Sequence, residues 1–225
     1  MSLSETLLTI APTENSISFS LNLNRNQPRK RWDITLMAFA EVVSRHIEDP
    51  IKLLIGTSVQ GAWNLLDVYE RELSKHGLTL EEGMKHIILI DNPQQLTDEE
   101  INILYNACDV GINTADGEGV GCNQLQQGAI GKAQIVPDVG GFKDFLDRDS
   151  AIMIEPKLHL YIDNSRDGVG GESQVCHHQD FADAIEYYYT NPEIAEMHGK
   201  KCRQNILSNY KWDSIGEKFY GIIKK

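Results

Sequence analysis

The sequence predicts an α/β protein built on a doubly wound, parallel β-sheet, with a run of helices at its C-terminal end. Three observations predict it. Short apolar runs alternate along the chain with longer stretches whose apolar residues recur every three or four positions. Runs such as "IKLLIGT" (51–57) and "HIILI" (86–90) are apolar on both faces, as strands covered by helices on both sides must be. From about Gln179 the strand patterns stop and helical patterns continue to the end.

The elements follow in order. "ISFSLNL" (17–23) reads as the first strand. "WDITLMAFAEVVSRHI" (32–47) reads as an amphipathic helix: Leu36, Phe39, Ala40 and Val43 share a face, and Asp33 meets the positive end of the dipole. A buried strand at 51–57 is followed by a helix over 62–76, with Gly77 as its C-terminal stop. After the strand at 86–90, Thr97 and Glu100 form a capping box that opens a helix over 97–107. "DVGINT" (109–114) is a strand that leads through "DGEGVGCNQLQQGAIGK" (116–132) into another helix. "AQIVP" (133–137) and "AIMIE" (151–155) are short strands. Residues 156–178 fit neither period and read as a long inserted loop, of a length that is uncommon without a function. Strands alternating with helices imply right-handed crossovers and a parallel sheet, with ligands beyond the strands' carboxyl ends. The loops 24–31, 91–97 and 114–122 are therefore the expected seat of function.

Composition excludes several classes. The 225 residues are 41% hydrophobic, enough for a core, and carry 33 acids against 21 bases, a net charge of -12. Such a chain is a poor partner for nucleic acid or an anionic membrane, both of which need basic patches. No apolar run has the length of a transmembrane segment, and the N-terminus lacks a secretory pattern. The four cysteines lack CxxC spacing and read as reduced thiols, which implies a cytoplasmic location.

Two loops carry the chemistry. "NRNQPRKRW" (24–32) holds Arg25, Arg29, Lys30 and Arg31, a basic cluster on an acidic chain and well placed for phosphate. In the second, Gly117, Gly119 and Gly121 open the backbone around Glu118, and the following helix offers free N–H groups and a positive dipole end. A diphosphate between the two loops satisfies both. Glu118 repels phosphate and so is expected to face neutral sugar hydroxyls. Taken singly, each loop also reads as an ordinary turn. "DRD" (147–149) imitates a metal-binding Asp-x-Asp but stands away from these loops, and "CHH" (176–178) has no partner pair at zinc spacing, so no metal site is expected.

These segments resemble, in order, the C-terminal donor-binding domain of GT-B glycosyltransferases of family 4, a retaining group. The motifs are "NLNRNQPRKRWDITLMAFAEV", "DEEINILYNACDVGINTADGEGVG", "GKAQIVPDVGGFKDFL" and "YKWDSIGEKFYGII". The version here is most similar to glycosyltransferases of large DNA viruses of algae, through the "RN..RKR" loop, the "YNACDV" run and the insertion at 156–178. The resemblance implies a Rossmann-like domain over 17–225, with residues 1–16 an interdomain junction or a remnant of cloning. It implies that Arg25 and Lys30 clamp the donor diphosphate. Glu118 holds donor-sugar hydroxyls, and the amides of Gly119, Val120, Gly121 and Cys122 line sugar and phosphate. Asp91 and Asn92 lie by the base. The family's second glutamate, which holds the ribose, falls at Gln126, which keeps an acceptor but loses the charge. The donor implied is a nucleotide diphosphate sugar, GDP-mannose first and UDP-sugars second, with no cofactor required and an unknown glycan, lipid or protein acceptor. The resemblance also implies an N-terminal GT-B domain, in cis or in trans, without which transfer is not expected. Two other readings stand beside it: a non-catalytic module that binds nucleotide sugar or a partner, favoured by Gln126, and a dinucleotide-binding protein, disfavoured by the missing GxGxxG.

Overall fold

The computed structural model describes residues 19–91, 93–163 and 170–224. Six strands form one sheet: β1 (Phe19–Leu23), β2 (Lys52–Gly56), β3 (Ile87–Ile90), β4 (Val110–Ile112), β5 (Ala133–Pro137) and β6 (Ile152–Ile154). Their order is β3-β2-β1-β4-β5-β6, with every pairing parallel. The winding direction reverses between β1 and β4, so a crevice opens there at the strands' carboxyl ends. The loops after β1 and β4 flank that crevice. The loop after β3 lies at the edge of the sheet, beyond β2.

The helices are α1 (Trp32–Arg45), α2 (Leu65–Lys75), α3 (Leu80–Met84), α4 (Asp98–Ala107), α5 (Cys122–Ala129), α6 (Phe142–Phe145), α7 (His178–Thr190), α8 (Pro192–Asn209) and α9 (Trp212–Ile223). Successive strand residues face opposite ways, and the core divides accordingly. Leu53 and Ile55 join Phe39 of α1, Tyr69 of α2 and Phe181 of α7 in the largest cluster. Leu54, between them in sequence, packs with Leu21, Leu23 and Leu104 of α4. Likewise Ile135 faces the first cluster, and Val136 faces Cys202 and Ile206 of α8. Helices therefore cover both faces, as expected of a doubly wound sheet.

The long-loop reading of 156–178 is corrected. Leu158–Ile162 (β7) and Gly171–Val175 (β8) pair as an antiparallel hairpin, from Leu158 opposite Val175 to Ile162 opposite Gly171, and α7 begins at His178. The signal was weak because β8, "GESQV", carries one apolar residue, so no alternation of apolar and polar positions marks it as a strand. The helix expected from residue 62 begins at Leu65, after a turn that holds Asn26. The two short helices α3 and α6 are too brief to declare a period. The capping box at Thr97 and Glu100 is present as expected. No residue of α9 is buried: Trp212 is 86% exposed, Phe219 63% and Ile222 71%. No described helix is long and apolar enough to cross a membrane.

Candidate functional site

A cavity of about 560 Å³ occupies the β1/β4 crevice. Arg25, Arg29 and Lys30 line it from one side, and Glu118, Val120, Gly121 and Cys122 from the other. The two segments singled out from sequence thus meet across one opening. Gly121, with φ of 78°, caps α5 and offers no side-chain acceptor to its amides. Cys122, Asn123 and Gln124, the first turn of that helix, border the cavity. The site combines three cations with a positive helix tip, and what such a concavity suits is an anion with several oxygens.

Each loop is held in place by its own sequence. Trp32, fully buried, donates its indole N–H to the Arg25 carbonyl at 3.1 Å. The Asn26 amide donates to the carbonyls of Ser58 (2.9 Å) and Trp63 (2.8 Å), and its oxygen accepts the Trp63 N–H at 3.0 Å. Beneath the crevice runs a buried chain of hydrogen bonds. Asn24 donates to Asn22 (2.6 Å), Asn22 to Thr35 (2.9 Å), and the hydroxyls of Thr35 and Thr114 meet at 2.7 Å. Thr114 donates on to the Arg31 carbonyl at 3.0 Å. A carbonyl only accepts, so Thr114's proton is committed there and Thr35 is the donor of the hydroxyl pair. The chain ties β1, α1 and the loop after β4 into one unit. The Asp116 N–H closes it by donating to the Arg29 carbonyl at 3.0 Å.

The Oε2 of Glu118 pairs with the Lys30 ammonium and lies 3.4 Å from Arg29 Nη1, so cations of the other loop hold the glutamate. Lys30 is 8% exposed, and an ammonium so deep needs a counter-charge. Burial lowers the Lys30 pKa, with Glu118 opposing that fall. The glycines also divide otherwise than the sequence suggested. A Cβ on Gly117 or Gly119 meets nothing within 4 Å, so these positions leave an open face. The steric demand lies at Gly121, where a Cβ meets the Phe142 ring at 2.4 Å, and at the Gly140–Gly141 turn. A Cβ there falls 2.2 Å from the Glu118 carbonyl and 2.0 Å from that of Gly119. The Gly141 N–H donates to the Glu118 carbonyl at 2.9 Å, so this turn carries the glutamate's backbone.

Not every expected residue reaches the cavity. Gly119 faces a neighbouring one. Asp91 is exposed at the end of the edge strand β3 and does not line the crevice; Asn92 and residues 1–16 lie outside the described residues. Gln126 stands one turn after Cys122, and its Oε1 accepts the Tyr105 hydroxyl at 3.0 Å. Burial raises the Tyr105 pKa, which keeps that phenol a donor. Sequence reasoning passed over Asn24, Asn123 and Gln124; polar residues inside a strand end and on a buried helix face were the available signal. The "DRD" at 147–149 is a turn, in which Asp147 Oδ1 accepts from the Asp149 N–H (3.1 Å) and the Ser150 hydroxyl (2.8 Å). In "CHH", Cys176 bonds the Ile154 carbonyl and His177 caps α7. Among the described residues no three His, Cys, Asp or Glu gather as metal ligands.

With this geometry in view, solved structures place the architecture. A glycosyltransferase from Rickettsia africae superposes with a TM-score of 0.70 at 15% identity, over 99% of this chain and 51% of its own. Anabaena HepE, in complex with UDP-glucose, gives 0.67 at 12%, over 99% of this chain and 52% of its own. The fold is that of GT-B glycosyltransferase C-terminal domains. The C-terminal domain of a glycosyl transferase group 1 family protein, LpcC from Francisella tularensis, matches at 0.65 and 16%, over 92% of this chain and 98% of its own. The chain spans about half the length of the first two. No protein-family model matches the sequence, and no curated protein matches it.

Proposed function

We propose that this chain is the donor-binding domain of a retaining glycosyltransferase that moves a hexose from a nucleotide diphosphate sugar. The observation that supports it is the meeting of Arg25, Lys30 and the tip of α5 around one cavity at the switch point, with Glu118 on its wall. Breaking a sugar–diphosphate bond leaves negative charge on the departing phosphate. Fixed cations and helix amides placed before the event stabilise that charge without reorganising. Glu118, paired to Lys30, accepts hydroxyls of the transferred sugar, and its charge favours the cationic character that sugar gains. The resemblance to viral enzymes ranks GDP-mannose first among donors. Neighbours solved with UDP or UDP-glucose make UDP-glucose the donor to test beside it.

Transfer requires a second domain, in cis or in trans, that brings the acceptor. The unburied apolar residues of α9 and the two-fold greater length of the first neighbours support this. The four free thiols fit a reducing, cytoplasmic setting. A second reading, a binding module without catalysis, is favoured by Gln126, whose acceptor oxygen is engaged by Tyr105. Calorimetric titration with UDP, GDP, UDP-glucose, GDP-mannose and NAD tests the proposal. Nucleoside diphosphates binding in preference to NAD support it, and NAD alone binding overturns it. Donor hydrolysis or transfer by the two-domain protein separates the enzyme from the module.

A further inference from the structure

Among the described residues Arg31 is the one non-glycine residue with a positive φ, at φ 49° and ψ 51°. A side chain in this left-handed conformation crowds its own backbone, so the conformation persists only where the surroundings hold it, and such positions gather at functional sites. Arg31 stands between Lys30, the most buried cation of the site, and the fully buried Trp32. It ends the 3-10 turn Pro28–Lys30 and opens α1. With a right-handed Arg31 the turn would run on into α1 as one helix, and Lys30 would follow its spiral. The reversal instead sends Trp32 into the core and Lys30 across the crevice to Glu118.

Contacts on several sides hold the strained residue. Its guanidinium is bonded twice to the Asp33 carboxylate, at 3.0 and 2.7 Å. Its N–H donates to the Pro28 carbonyl at 3.3 Å, and its own carbonyl accepts the Ile34 N–H at 3.0 Å. That carbonyl also accepts the Thr114 hydroxyl, and the Arg29 carbonyl accepts the Asp116 N–H, so the turn is stitched to the loop that carries Glu118. Arg31 itself does not line the cavity. We propose that Arg31 is a positioning residue: its left-handed backbone, pinned by Asp33, keeps Lys30 against Glu118 and so sets how tightly the crevice holds a diphosphate. The effect runs through conformation and not through the arginine's charge. Glycine reaches the same φ without penalty, whereas a β-branched residue is a poor fit there. The effect on binding rests on the proposed diphosphate site; the placing of Lys30 is read without any ligand.

The test compares Arg31→Val with Arg31→Gly, and Arg31→Ala serves as the milder block if the valine variant does not fold. Each is titrated with UDP and GDP. Arg31→Val raises the Kd tenfold or more, and Arg31→Gly, which loses the same charge, restores most of the affinity. A second measurement needs no nucleotide. Lys30→Met, Glu118→Gln and their double variant are made in wild type, in Arg31→Val and in Arg31→Gly, and urea midpoints read whether the two changes add. The expected shifts are non-additive in wild type and Arg31→Gly, and additive in Arg31→Val. Equal loss of affinity in the valine and glycine variants assigns the effect to charge and overturns the inference. So does a valine variant that binds within twofold of wild type, or one that keeps the coupling of Lys30 to Glu118. If wild type binds neither nucleotide, the diphosphate site falls and the coupling alone decides. Its loss in Arg31→Val and return in Arg31→Gly support the placing of Lys30 by Arg31, and its persistence in Arg31→Val sinks it.

Discussion

Replacing Lys30 with methionine removes the most buried cation of the site while keeping the length of its stem. Lys30 is 8% exposed and the Glu118 side chain 11%, so neither charge is well screened by water. A hydrogen bond from a charged donor contributes about 1.5–3 kcal/mol. Each ~1.4 kcal/mol is tenfold in affinity, so the Kd for a nucleoside diphosphate rises about ten- to a hundredfold in Lys30→Met. Arg25 and the α5 amides retain the rest. Stability falls as well, because the substitution strips Glu118 of its closer partner. Breaking a buried pair costs about 3–5 kcal/mol. Arg29 remains at 3.4 Å, which places the cost at or below the lower end of that range. The double variant Lys30→Met/Glu118→Gln removes the orphaned charge and recovers most of the stability without recovering affinity. Isothermal titration with UDP and GDP reads the first quantity, and denaturant melts read the second. A single variant that binds nucleotide within twofold of wild type refutes the electrostatic account of the site.

Three further outcomes are expected. Cys122 is the one exposed thiol of the four, at the lip of the cavity, so iodoacetamide modifies it first and saturating UDP slows the reaction at least tenfold; an unchanged rate with UDP bound places the nucleotide elsewhere. Gly140→Ala combines a φ of 49° with a Cβ 2.2 Å from the Glu118 carbonyl, so it destabilises by about 1–3 kcal/mol and weakens nucleotide binding, whereas Gly117→Ala changes stability by less than about 0.5 kcal/mol; equal melts for the two variants contradict this. His46 lies 2.7 Å from Asp49 and 3.0 Å from Glu186, between α1 and α7. Burial of the ring opposes its charge, but these bonds outweigh it and raise its pKa above the ordinary 6.5, while His46 first, then Arg45, lowers Glu186 below 4.5. The raised histidine contributes fully below pH 6.5 and is lost as pH rises through its folded value. The lowered glutamate contributes above 4.5 and is lost as pH falls through its own. The contact therefore stabilises most between these limits, and His46→Gln lowers Tm most there while flattening the fall of Tm above pH 6.5 and below pH 4.5; an unaltered profile shows the contact is idle.

Much of the architecture was legible because it rests on local patterns. The apolar run at 51–57, the stripe of Leu36, Phe39 and Val43, and the capping box at Thr97 each follow from covalent geometry and nearest neighbours. So does the cation cluster at 25–31, since charge is a property of composition. The glycines of 117–121 could be read as a turn, but not which of them was sterically required, because the one limiting neighbour, the Phe142 ring against Gly121, arrives from elsewhere in the chain. The hairpin at 158–175 escaped notice for a different reason: β8 is polar, and its own pattern does not mark it as a strand.

By itself the sequence determined the periods of its elements, hence a parallel sheet wound in both directions, and it determined that cations gather on one loop and helix N–H donors on another. Only the tertiary structure decided that β1 and β4 are neighbours, that Lys30 is buried against Glu118, and that Gln126 answers to Tyr105. Periodicity is written within a few residues of chain. Burial, ion pairing and cavity shape depend on which distant segments the folded core brings within a few ångströms of each other.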